Sequence, residues 1–214
     1  MNIEKIIKNS IVNFDGNIAI YYDDLKGNKI KINENEKYNA ASCIKIFILI
    51  ELFNQINKGM INIENIGCYN TKLYSKFKST ENEVFSETTA YDYYLVWKKL
   101  NNYELFDKKI TQEIIDIIKN QKYHEMVGDG IDKIYKEVEN PIVNYIVSKS
   151  GKYEAVRNDG GIVSTIYGNY ILTIMIKDFK DENYLNDDYV YNMGRKISNI
   201  IFNQYIALGD AKSI

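Results

Sequence analysis

The run from Cys43 to Phe53, CIKIFILIELF, is apolar at all but two positions, Lys45 and Glu51. It is far shorter than the roughly 18 residues that a membrane span needs, so it has to be packed inside a folded core. It reads as a helix beginning near Ser42 and ending at Gly59, a residue suited to a left-handed C-terminal cap. Ser42 and Lys45 stand three residues apart. On a helix that puts both on one face, about 5–6 Å apart at Cβ.

The rest of the chain arranges itself around this helix. Ile3, Ile6, Ile7, Ile11 and Val12 recur at helical spacing and predict an opening amphipathic helix. Asn17 to Asp23 and Lys29 to Ile32 read as strands joined by a Lys26-Gly27-Asn28 turn. Gly67 to Ser86 is weakly periodic and reads as irregular. Two helices are predicted over Thr88 to Leu100 and Thr111 to Gln121, each capped by its threonine. Strand candidates follow at Asn144 to Ser150, Gly161 to Ile166 and Tyr170 to Ile176, and a last helix at about Asp188 to Ile206. This order predicts an α+β sandwich of one domain over residues 1–214. Its five-stranded antiparallel sheet carries the terminal helices on one face and the internal helices on the other.

Composition removes some function classes. A formal net charge of −2 leaves no basic excess for a phosphate backbone, so no nucleic-acid partner is expected. The first fourteen residues lack the uninterrupted apolar stretch of a secretory signal, and no membrane partner is expected. Two cysteines, Cys43 and Cys68, make no disulfide framework, which fits a cytoplasmic protein with reduced thiols. No cluster of potential ligands suggests a metal, and no cofactor is implied.

Lys45 is followed by five apolar residues, so burial is expected around it. Desolvation would then lower the ammonium's proton affinity towards that of a usable base. Ser42 sits at the helix start, where free N–H groups and the helix dipole can stabilise an oxyanion. A serine nucleophile with a lysine base is one coherent reading of this placement. The plainer reading is that Ser42 is an N-cap and Lys45 snorkels to the surface.

A second motif stands at Val147-Ser148-Lys149-Ser150-Gly151. Ser-x-x-Lys followed later by Lys-Ser/Thr-Gly resembles the penicillin-recognising serine enzymes, specifically class A β-lactamases and their serine hydrolase relatives. The resemblance extends over roughly Ile18 to Ile206. It includes YNAASCIKIFILIELFNQINKGMI, ETTAYDYYLVWKKL, ITQEIIDIIKNQKYHEMV and VSKSGKYEAVRNDGGIVSTIYGNYILTIMI. It implies Ser42 as the acylated nucleophile, Lys45 as proton acceptor, and Lys149 as a positive charge beside them. It further implies that Ser150 binds a substrate carboxylate, aided by Arg157. The N–H groups of Ser42 and Lys152, the latter following Gly151, would form the oxyanion hole.

The same comparison exposes a gap. Relatives carry a helical insert between the nucleophile helix and the Thr-Thr helix, with a Ser-Asp-Asn motif and a water-activating glutamate. Neither motif stands between Ser42 and Thr88 here, so the helical part, about residues 60–140, is expected to be shortened. Ser75 could stand in as the relay, Glu83 or Glu87 as the base, and Tyr69 or Tyr74 as either. Each also reads as an ordinary loop residue. His124, the single histidine, fits a structural or surface role, and a Cys43–His124 pair is a minor rival.

The expected activity is that of a serine acyl-enzyme hydrolase or acyltransferase working on an amide or ester of a peptide or small molecule. A non-catalytic binding protein on the same scaffold is the alternative, and a weak β-lactamase the lesser one.

Overall fold

The computed structural model describes residues 3–56, 66–73, 86–120, 125–137, 139, 141–180 and 188–211. Helix α1 (Ile3–Ile11) leads into strand β1 (Asn17–Asp23), and the chain returns as β2 (Lys29–Ile32). Asp24 closes this hairpin by accepting from the Lys26 and Asn28 amides, while Gly27 takes a left-handed φ of 112°. A short strand β3 (Tyr38–Asn39) precedes a 3₁₀ turn, Ala41–Cys43, which runs into helix α2 (Ile44–Ile56). Strand β4 (Glu87–Thr88) pairs with β3, and helices α3 (Ala90–Asn101) and α4 (Lys108–Lys119) follow. Strands β5 (Val143–Ser148), β6 (Gly151–Tyr153), β7 (Val156–Thr165) and β8 (Gly168–Lys177) then lead to helix α5 (Asp188–Asp210).

The main sheet is antiparallel, in the order β2-β1-β8-β7-β5, with β6 also paired to β7. Period-two alternation sorts its side chains into two cores. Ile18, Ile20 and Tyr22 of β1, with Leu172, Ile174 and Ile176 of β8, pack under α1 and α5. Ala19, Tyr21, Ile171 and Met175 face the other way, onto α2, α3 and α4. With both faces covered, β8 can read as a nearly unbroken apolar run. This is the predicted sandwich, with the terminal and internal helices on the predicted faces.

Several boundaries move for physical reasons. The expected strand 144–150 breaks at Lys149 and Ser150, and the separate β6 that follows was not anticipated. The strand expected at Gly161 begins earlier, at Val156, because its polar residues have buried partners. Asp159, for example, accepts from the amides of Met126, Val127 and Gly160. Asp107, not Thr111, caps α4, accepting from Ile110 N–H. Thr111 is buried inside the helix and donates to Phe106 O. The short β3–β4 sheet has no counterpart in the sequence reading, which places Thr88 at the start of a helix, and Gly59 lies outside the described residues.

Candidate active site

Ser42 sits in the 3₁₀ turn, half-buried, and is not the cap. The cap position is Ala40, which makes no side-chain capping bond. The Ser42 hydroxyl is therefore not used to cap the helix, and its N–H lies among the first amides, which have no intrahelical acceptor.

The backbone leading to Ser42 is held in an unusual conformation. Ala41 has φ 45°, in the left-handed region that non-glycine residues rarely enter. Three bonds hold it there. Ala41 N–H donates to Asn39 Oδ1 at 2.8 Å, Ala40 N–H to Ser86 O at 2.7 Å, and Asn158 Nδ2 to Asn39 O at 2.8 Å. Asn39 and Asn158 were missed in the sequence. An asparagine two residues before a helical turn is a usable Asx-turn signal for the first. Nothing local marks the second, which comes from β7.

The Lys149-Ser150-Gly151 segment lies directly against this turn. Gly151 is buried, and a Cβ built on it would meet Cys43 N at 2.8 Å, Ser42 N at 2.9 Å and Ala40 O at 3.0 Å. Only a residue without a side chain lets β6 come this close. The Lys149 carbonyl accepts from Tyr93 OH at 2.5 Å and from Cys43 Sγ at 3.3 Å, so α3 and the serine turn both grip it. Lys149 and Ser150 are half-buried, and Lys149 Nζ donates to Ser150 O at 2.7 Å. Lys152 is exposed, opposite Arg157 in register.

Two expectations need correction, and one minor rival is removed. Lys45 is exposed, so the argument from burial falls away, and no hydrogen bond joins it to Ser42 among the described residues. The reason is rotational. The buried face of α2 is carried by Ile44, Ile46, Phe47 and Ile50, and Lys45 points away from it. Arg157 is fully buried, on the α5 side of the sheet. It donates to Glu154 O and Val156 O and lies over the rings of Phe179 and Tyr191, out of reach of a substrate carboxylate. Cys43 is fully buried, and burial pushes its thiol up to about 12, which removes it as a nucleophile.

Of the candidate relays and bases, Glu87 stands in β4 opposite Asn39, 3.4 Å from Lys37 Nζ. Tyr69 is exposed. Neither makes a hydrogen bond to Ser42 among the described residues. Tyr74, Ser75, Glu83 and His124 lie outside the described residues. No group of three or more His, Cys, Asp or Glu among the described residues could hold a metal ion.

This sheet, with a serine turn opening its central helix and a Lys-Ser-Gly edge packed upon it, is that of a β-lactamase-like domain. The beta-lactamase enzyme family matches residues 2–72 and 63–205, and the chain belongs to that family. Solved structures share the fold at low identity. PBP-A superposes with a TM-score of 0.80 at 15% identity, covering 97% of each chain. A β-lactamase from Sphaerobacter thermophilus gives 0.78 at 13%, covering 95% of this chain and 96% of that one. The class A β-lactamase of the last common ancestor of Gram-negative bacteria gives 0.77 at 9%, covering 96% of this chain and 100% of that one. No curated protein sequence matches the chain. No helix among the described residues is long and apolar enough to cross a membrane.

Proposed function

We propose that this protein is a serine acyl-enzyme catalyst, a hydrolase or acyltransferase acting on an amide or ester of a peptide or small molecule. The single observation that carries this reading is the packing of Gly151 on the Ser42 backbone, which sets a Lys-Ser-Gly edge beside an uncapped serine. In the proposed reaction Ser42 Oγ attacks the substrate carbonyl carbon. As the Oγ–C bond forms, the hydroxyl proton passes to Lys45, whose exposed ammonium has first given up a proton to solvent. The oxyanion accepts from the N–H groups of Ser42 and Lys152. The tetrahedral species then expels its amine or alcohol, which takes the proton back from Lys45. Water or an amine acceptor resolves the remaining ester. Lys149 and Ser150 bind an anionic group of the substrate.

The fold likeness supports penicillin as a probe, since a mutant of PBP-A was solved as an acyl-enzyme complex with penicillin G. The exposure of Lys45 favours the second reading, a binding protein on this scaffold that does no chemistry. Intact mass after incubation with a fluorophosphonate or penicillin G separates the two. The catalytic reading expects one adduct on Ser42, absent in Ser42→Ala. No adduct with either probe supports the binding reading.

A further inference from the structure

Strand β5 stops at Ser148, but its register against β7 runs on. Ser148 stands opposite Gly161 and Gly151 opposite Asn158, so Lys149 and Ser150 face Gly160 and Asp159 with no residue gained or lost. At Lys149 the ladder is only half made. Its N–H donates to Gly160 O at 2.9 Å. The Gly160 N–H turns instead to Asp159 Oδ1 at 2.9 Å, and among the described residues it makes no bond to Lys149 O. A hydrogen-bonded antiparallel pair ordinarily exchanges both bonds. The Lys149 carbonyl is left to two side chains, Tyr93 OH at 2.5 Å and the weaker donor Cys43 Sγ at 3.3 Å.

Tyr93 therefore stands where a backbone donor would. It is fully buried on α3, and Gly160 makes room for its ring, since a Cβ there would lie 2.7 Å from Tyr93 Cε1. The two residues that leave the ladder are those proposed to hold the anionic group of the substrate. Beyond them Gly151 and Lys152 rejoin β7, opposite Asn158 and Arg157, so the backbone of the proposed oxyanion donor is held by the sheet and not by Tyr93. We propose that Tyr93 is a positioning residue whose hydroxyl, by holding Lys149 and Ser150 out of the ladder, sets the preference of the site for an anionic substrate. This rests on the roles given to Lys149 and Ser150 above and adds the residue that governs them.

The test uses the full chain and two probes of Ser42, penicillin G, which carries a carboxylate, and an uncharged ethyl fluorophosphonate, each followed by intact mass. Tyr93→Phe keeps the ring and removes one hydroxyl. It is expected to lower the penicillin rate about tenfold, the scale of one hydrogen bond, and the fluorophosphonate rate at most about twofold. The penicillin loss is expected in the concentration that gives half-maximal rate, not in the maximal rate. Cys43→Ala removes the weaker donor and is expected to move the ratio of the two rates the same way by about threefold. It decides the matter if Tyr93→Phe does not fold. Tyr170→Phe is the control. Tyr170 is fully buried in the other core and its hydroxyl has no partner among the described residues, so both rates should stand. Equal falls in the two rates, as a purely structural role would give, overturn the inference, and so does a ratio left unchanged. In a parallel arm, penicillin G binding to Ser42→Ala is measured by calorimetry with and without Tyr93→Phe. If neither probe labels Ser42 but this binding weakens about tenfold, the serine chemistry fails and the positioning role stands. Binding indifferent to Tyr93→Phe, or no penicillin binding at all, overturns it.

Discussion

Gly151 packs so closely on Ser42 that a Cβ on the glycine would stand 2.9 Å from the serine nitrogen. The atoms it would strike are backbone, so neither side can yield by rotating a side chain. Gly151→Ala is therefore expected to push β6 away from the serine turn. With the two cores untouched, the protein stays folded, while fluorophosphonate labelling of Ser42 falls at least about tenfold, because sub-ångström displacements of reacting groups are costly. Wild-type labelling by a folded Gly151→Ala protein would show that this edge has no part in the site.

Asn158 supplies a separate handle on the same turn. It is fully buried, donates to Asn39 O, and its own Oδ1 has no partner among the described residues. Asn158→Ala removes one buried hydrogen bond and one unsatisfied acceptor, so its stability cost is expected to be small, about 1 kcal/mol. Loss of the brace on the strained Ala41 turn is expected to lower labelling by about tenfold. Melting temperature and labelling rate together check this. A large fall in stability with unaltered labelling would make Asn158 a packing residue only.

The thiols provide a pH-linked test. Burial pushes Cys43 up to about 12 and Cys68 higher still. A raised thiol pKa means that the reactive thiolate is scarce at pH 8. Iodoacetamide at pH 8 is expected to modify neither cysteine in the folded protein and both in urea. A rapid native adduct on Cys43 would restore the thiol mechanism.

Asp92 tests the second core. It is fully buried at the start of α3, where one oxygen accepts from Asn70 N–H and Thr71 Oγ and the other has no partner among the described residues. Burial raises its carboxyl, with the Thr71 and Asn70 bonds pulling partly back. A raised folded pKa means that the folded state prefers the protonated acid. Stability from this group therefore falls as pH climbs from the ordinary aspartate value, near 4, through the folded value. Asp92→Asn keeps an acceptor for both donors and cannot ionise. It is expected to raise the melting temperature more at pH 7 than at pH 4. An equal effect at both would mean that Asp92 is not penalised by its charge.

Much of the architecture was legible because it depends on patterns along the chain. Strand-like runs on either side of the Lys26-Gly27-Asn28 turn marked β1 and β2, and helical spacing marked α1, since each pattern has one way to bury its apolar set. The pairing of a Ser-x-x-Lys with a distant Lys-Ser-Gly pointed to the family and to the two segments that meet at the site. Contiguity also misled. The run after Lys45 suggested a lysine surrounded by apolar neighbours, but neighbours in sequence spread around a helix, and only one face of α2 meets the sheet.

The tertiary structure alone decided what depends on contacts between distant segments. It turned Lys45 outward and Arg157 inward towards α5. It brought Asn158 of β7 under the Ala41 turn and made the Lys149 carbonyl the shared acceptor of Tyr93 and Cys43. The sequence determined which residues can do chemistry and which faces must be buried, through local spacing. Which of those faces is covered, and which polar atoms meet, follows from packing between segments that no local pattern encodes.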